Sequence, residues 1–258
     1  MKRRFGIIIM VFVALLVYAA AWAEEENRLT RDEVTVVKKK LVAILSSLGD
    51  APKGYVKERE DFNLPTQFYK DSNSGKIRPV YASASQRFGG GAEKKTKKSE
   101  KEMGEYYKKK MLEAQAKGDM QEMMRLSQEM QMKAGQAGLE QMEAEKKEPI
   151  EVRVNFNSNP SQTIDPDNVV FEKPGVIALR FKEGEEGKVR IDIYFDPVSL
   201  KDTKTLSVVD LKMPKDGVEK KTAVLNAAVN VSGPANEVEA WIKKIDAKAA
   251  LSQIDAAR

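Results

Sequence analysis

Apolar residues change period twice along this chain. Between Thr30 and Leu48 they fall at Val34, Val37, Leu41, Ile44, Leu45 and Leu48, three or four residues apart, which is the spacing of one helix face. Thr30, three residues before Glu33, matches a capping box, in which each side chain accepts from the other's backbone N–H. Gly49 and Asp50-Ala51-Pro52 close the pattern, because proline disfavours helical geometry at the residue before it. Residues 24–49 are therefore expected to hold an amphipathic helix.

After Pro149 the period becomes two. Ile150, Val152, Val154 and Phe156 alternate with Glu151, Arg153 and Asn155; Ile177, Leu179 and Phe181 with Ala178 and Arg180; Val189, Ile191, Ile193 and Phe195 with Arg190, Asp192 and Tyr194. Such alternation predicts antiparallel strands with one wet face. Lys173-Pro174-Gly175 and Glu183-Gly184-Glu185-Glu186-Gly187 supply turns. Leu206–Met213 and Thr222–Val231 add two candidate strands. From Asn236 to Ile254 a helical period returns, with Val238, Trp241, Ile242, Ile245 and Ala249 on one face to cover the sheet. The expected fold class is α+β, with 149–258 as an antiparallel sheet plus C-terminal helix domain.

Two stretches lie between. Residues 50–91 show no helical period, yet they carry Tyr55, Phe62, Phe68, Tyr69, Tyr81 and Phe88. Rings of this kind bury area and impose order, so an extended segment pinned to its own β domain or to a partner is expected, ending in a hinge at Gly89–Gly91. Residues 92–148 are charged and helix-forming, with thirteen basic and twelve acidic side chains and eight of the eleven methionines. Gly118 suits a left-handed C-terminal cap, and Asp119 with Glu122 suits the start of a second helix. A helical hairpin or a kinked long helix follows. At roughly 100° per residue, Leu112, Ala116, Met120, Met123, Met124, Ser127, Met130 and Ala134 form one stripe, with Met111 and Met132 off it.

Composition adds a compartment. Lys2, Arg3 and Arg4 precede an apolar run from Ile7 to Ala21, and Ala21-Trp22-Ala23 offers a cleavage point, the layout of an export signal over residues 1–23. The run is shorter than the roughly 20 residues of a spanning helix. Without these residues the formal charge falls from +5 to +2, so the basic balance is no argument for nucleic acid. The reading is an exported, soluble protein of a bacterial periplasm, with no nucleic acid and no membrane span after signal removal.

The chain contains neither Cys nor His. That excludes nucleophile arrangements built on either residue, thiolate or imidazole zinc sites, and disulfides. There is no Gly-x-Ser-x-Gly elbow. The run Gly91-Ala92-Glu93-Lys94-Lys95-Thr96 lacks the glycine of a phosphate loop, and Asp165 to Val176 fails as a calcium loop at its glycine and glutamate positions. Glu183, Glu185, Glu186 and the Asp165-Pro166-Asp167-Asn168 turn are the acidic spots a carboxylate-dependent envelope hydrolase would draw on, although acidic turns more often serve solubility. Asn230-Val231-Ser232 fits a glycosylation sequon.

The methionines are the most distinctive feature. Met120, Met123, Met124, Leu126 and Met130 are the expected partner-binding residues of an amphipathic arm, used for a protein partner or for self-association. Because thioether sulfur suits Cu(I), Met120, Met123, Met124, Met130 and Met132 form the alternative, a periplasmic copper site. No cofactor is expected, and the leading expectation is a non-enzymatic interaction or adaptor protein.

Overall fold

A computed structural model describes residues 27–90, 92–145, 147–184 and 187–255. The signal-like segment 1–23, Gly91, Glu185 and Glu186 lie outside them. Helix α1 (Arg31–Ser47) starts with the expected reciprocal cap: Thr30 N–H donates to Glu33 Oε2 at 2.8 Å, and Glu33 N–H to Thr30 Oγ1 at 3.2 Å. Gly49, just past its end, takes a φ of 73°, the left-handed turn that a residue without Cβ adopts most easily.

The protein is α+β, built on a seven-stranded antiparallel sheet. Its strands are β1 (Tyr55–Asn63), β4 (Ala82–Gly90), β5 (Ile150–Phe156), β7 (Val169–Lys173), β8 (Val176–Lys182), β9 (Lys188–Phe195) and β11 (Ala227–Pro234). They lie in the order β1-β4-β5-β11-β9-β8-β7. Two small ladders accompany it: β2 (Tyr69–Lys70) with β3 (Ile77–Arg78), and β6 (Ser161–Thr163) with β10 (Val208–Asp210).

The alternation along β5 sorts as the period-two pattern predicts: Ile150, Val152, Val154 and Phe156 are buried, whereas Glu151 and Arg153 are exposed. The buried face meets three helices, α1, α4 (Ala235–Ile242) and α5 (Ala247–Leu251). Val37, Leu41 and Ile44 of α1 and Val238, Trp241 and Ile242 of α4 share one core with Val154, Ile193, Phe195, Val229 and Val231. Phe88 and Trp241 meet edge to face with centroids 5.2 Å apart, a preferred aromatic geometry.

Of the two readings of the aromatic segment, the one that pins it to its own β domain holds, since it supplies the sheet's edge strand β1 and β4. Several other local expectations are corrected. Gly89 and Gly90, expected as a hinge, are strand residues opposite Val56 and Tyr55, and a Cβ on Gly89 would collide with the Glu58 carboxylate. The C-terminal helix breaks in two, because Asp246 leaves the helix to accept from Ala249 N at 2.9 Å and to donate its own N–H to Ser47 O at 2.8 Å. Leu206–Met213 yields only the three strand residues of β10, and β11 begins at Ala227. The sheet's second face is wet over one half only. At the β8–β9 end Ile177, Leu179 and Tyr194 are covered by Leu200, Val209 and Leu211.

One buried polar residue ties the segments at Val80 and 223–225 to the end of β5. Asn157 has a φ of 53°, a conformation that Asn tolerates better than most residues. Its Nδ2 donates to Val80 O at 2.8 Å and Ala223 O at 2.9 Å, and its Oδ1 accepts from Leu225 N at 2.8 Å.

Candidate functional site: the helical arm

β4 and β5 are adjacent antiparallel strands, with Phe88 opposite Ile150. Between them in sequence stand α2 (Ala92–Lys117) and α3 (Met120–Glu145), packed against each other as a hairpin. The arm is thus an insertion into a strand–strand connection. Its base is fastened by Lys147, which donates to Lys53 O at 3.1 Å and lies 4.9 Å from the Tyr55 ring centre, and by Tyr55 Oη donating to Glu148 O at 3.1 Å.

At the tip the predicted stop and restart are both present. Gly118 takes a φ of 67°, and Asp119 Oδ1 accepts from Glu122 N at 3.0 Å. Between the helices Tyr107, Ala114 and Leu126 are buried. Met103 and Met111 on α2, and Met123, Ser127 and Met130 on α3, are half-buried. The expected stripe therefore holds only in part: on α3 Met123, Ser127 and Met130 are half-buried but Met120, Met124 and Ala134 are exposed, and on α2 Met111 is half-buried while Leu112 and Ala116 are exposed. Tyr107, Met111 and Ala114 follow four- and three-residue steps, so the seam of α2 runs through Tyr107 while its neighbour Tyr106 stays exposed.

A charged strip runs along one side of α3. Arg125 donates to both carboxylate oxygens of Glu122 at 2.8 and 2.7 Å, and lies 3.6 Å from Glu129. Lys133 stands 3.3 Å from Glu129, which also accepts from Tyr107 Oη at 2.9 Å. The Arg125 guanidinium holds the Glu122 carboxyl below its usual range, and the Tyr107 hydroxyl followed by Lys133 does the same for Glu129. These exposed pairs each contribute little to stability. Their consequence is placement, since they gather the charge of α3 on one strip.

Placed at roughly 100° per residue, Glu122, Arg125, Glu129 and Lys133 occupy that strip, and Met123, Leu126 and Met130 the seam. The remaining arc bears no charge: Met120, Gln121, Met124, Gln128, Gln131, Met132, Gly135 and Leu139, all exposed. Met120, Met124 and Met132 are 67%, 65% and 66% exposed. Of the five residues expected to bind a partner, Met120 and Met124 face solvent, Met123 and Met130 are half-buried, and Leu126 is spent inside the hairpin. The five methionines of the copper reading are not gathered at one point either: Met123 and Met132 stand on opposite sides of α3.

A second feature escaped the sequence reading. The open half of the sheet carries a polar groove of about 690 Å³ lined by Arg59, Asp61, Arg87, Arg153, Asp192 and Asn230 among others. Its charges are largely matched internally. Arg59 pairs with Asp61 at 2.5 Å, Arg87 with Glu58 at 3.3 Å and Glu151 at 3.5 Å, and Arg190 with Asp192 at 3.1 Å. Each strand shows polar alternation in sequence, but the groove needs β1, β4, β5, β11 and β9 side by side, which periodicity does not specify. The sequon residue Asn230 sits here within β11, its Nδ2 donating to Asp192 Oδ1 at 2.7 Å.

In the Asp165 turn the carboxylate bonds within the turn itself. Asp165 accepts from Asp167 N and Asn168 Nδ2, each at 3.1 Å. Among the described residues no three carboxylates converge on a metal position, and no helix is long and apolar enough to cross a membrane. Comparison of the chain with protein-family models, with curated proteins and with solved structures gives no match.

Proposed function

We propose that this chain is a non-enzymatic interaction protein of the bacterial envelope, in which a packed α+β body presents the α2–α3 hairpin as its contact arm. One observation carries the reading. Of the thirteen exposed large hydrophobic residues among those described, six, namely Tyr106, Leu112, Met120, Met124, Met132 and Leu139, stand on the arm. Exposed apolar side chains gathered on one element mark contact surfaces, and Met in particular adapts to the shape of what it meets. The groove gives less support to a carboxylate hydrolase, since Glu58, Asp61, Glu151 and Asp192 each face an arginine in an ion pair, whereas a proton-donating carboxyl needs a site that disfavours its charge.

The test is crosslinking in the native envelope followed by mass spectrometry of the linked peptides. Links should run from the arm, and replacing Met120, Met124 and Met132 together with Ser should remove them while leaving the melting of the body unchanged. Absence of any intermolecular link from the arm, in the parent chain under the same conditions, would overturn the proposal.

A further inference from the structure

We infer that the open half of the sheet is a second binding surface, separate from the arm, and that its ligand is an acidic oligosaccharide, held without being cleaved.

Two concavities adjoin there, of about 690 Å³ and about 370 Å³, each within the size range of small-ligand sites. Asp61, Ser85 and Arg153 line both, so the two form one trough across the wet face. From β1 to β9 the trough crosses four strand spacings, about 19 Å, room for several linked sugar rings.

Its floor is fixed before any ligand arrives. Tyr81 Oη donates to Asn155 Oδ1 at 2.7 Å, Asn155 Nδ2 to Asn230 Oδ1 at 3.2 Å, and Asn230 Nδ2 to Asp192 Oδ1 at 2.7 Å. This relay passes from the start of β4 through β5 and β11 to β9, and it sets which way each amide points. Polar groups already held in place lose little freedom when a ligand binds.

One cation is left over. Arg59, Arg87 and Arg190 each face a carboxylate. Among the described residues Arg153 has no ion pair and no side-chain hydrogen bond, and the hydroxyls of Ser83 and of Ser85, its neighbour across the strands, are unbonded as well. A guanidinium is a planar fork of donors that a carboxylate matches with two parallel bonds. Serine hydroxyls and the spare lone pairs of the ionised carboxylates suit sugar hydroxyls. At the trough's end Tyr81 is half-exposed with its hydroxyl tied down, so its ring offers a fixed apolar face to the C–H side of a sugar.

Other classes of ligand fit less well. A protein contact has an apolar centre, yet among the described residues lining the larger concavity Val152 alone is apolar. A nucleic acid calls for a row of cations against its phosphates, and the trough has a single unmatched guanidinium to offer.

The test is calorimetric titration of the purified full chain with tetragalacturonate, a hyaluronan tetrasaccharide and sialyllactose. Maltotetraose serves as the neutral probe and sodium acetate as the free carboxylate. At least one acidic saccharide should bind ~10-fold or more tightly than maltotetraose, the worth of one charge-assisted contact, and acetate at the same concentration should not displace it. Arg153→Gln should abolish that preference, and Tyr81→Ala should weaken the same saccharide ~10-fold. Melting curves show whether each variant is folded. Should Arg153→Gln melt early, Arg153→Lys decides, because it keeps the charge and loses the fork, and its affinity should fall between those for the acidic and the neutral probe. Lack of binding by all three acidic saccharides, equal binding of maltotetraose, displacement by acetate, or parent-like binding by a folded Arg153 variant would each overturn the proposal. Replacing Met120, Met124 and Met132 with Ser should leave the titration unchanged, so the trough and the arm stand or fall separately.

Discussion

The body and the arm solve the same problem, hiding apolar side chains, with different success. In the body the sheet is clamped between three helices on one face and a covering loop on half of the other, and residues such as Ile193, Phe195 and Val229 reach no solvent. In the arm two helices share a single seam, and among the side chains described there only Tyr107, Ala114 and Leu126 are fully buried. A two-helix hairpin has too few layers to bury both faces of each helix. What remains exposed is then informative: the body has finished its packing within the chain, and the arm has not.

That contrast can be broken in three places, in falling order of effect. Ile193→Ala, at the centre of the sheet, should cost about 2–5 kcal/mol in urea unfolding, as buried Ile truncations do, and Met124→Ala less than about 0.5 kcal/mol. A comparable cost for Met124→Ala in the isolated protein would mean that the arm is packed after all. Gly118→Ala should cost about 1 kcal/mol, because a Cβ is disfavoured at its φ of 67°. Amide exchange should show the loss in α2 and α3 with little change in β5, β9 and β11; equal loss in both regions would show that body and arm unfold as one unit.

The smallest effect belongs to the body's rim. Asp255 accepts from Lys40 Nζ at 2.7 Å and from Val224 N at 2.8 Å, joining the chain's C-terminal end to α1. Burial, the largest single influence, pushes its pKa up, but Lys40 and the Val224 amide together outweigh it and leave the carboxyl below its ordinary value. A lowered folded pKa means that the stabilisation is complete above the unfolded value, about 3.9, and is lost as pH falls through the folded one. Asp255→Asn should therefore lower stability by about 0.5 kcal/mol at pH 7, discounted for solvent screening. The gap from the parent chain should close below about pH 4. A gap that persists at pH 2 would assign the effect to shape and not to charge.

Much of the body, and the tip of the arm, was legible in the residues alone. The capping box at Thr30 and Glu33, the strands around Val154, Ile193 and Leu179, and the turn at Gly118 and Asp119 all depend on neighbours within four residues, where local rules operate. Misreadings came where a distant partner decides. Gly89 and Gly90 looked like a hinge because glycine pairs usually loosen a chain, yet β1 lies beside them and pairs with both. The single helix read over Asn236–Ile254 breaks because Asp246 N–H has Ser47 O to bond, a residue some 200 positions earlier. On the arm, periodicity found the stripe of α3 but had no means of separating the seam from the free face. That required knowing which residues of α2, Tyr107 and Ala114 among them, are buried along with Leu126.

The insertion of the arm between two bonded neighbours also bears on the order in which the chain assembles. Pairing β4 with β5 across a disordered connection of about 60 residues costs about 2 kcal/mol more loop entropy than a tight turn of about four would. A helical hairpin makes local contacts and forms on a much shorter timescale than long-range strand pairing. Once α2 and α3 have docked, the ends of β4 and β5 are already side by side, and that entropy has been spent before the strands meet. By this argument the residues that seal the hairpin, Tyr107 and Leu126, also favour early pairing of β4 with β5.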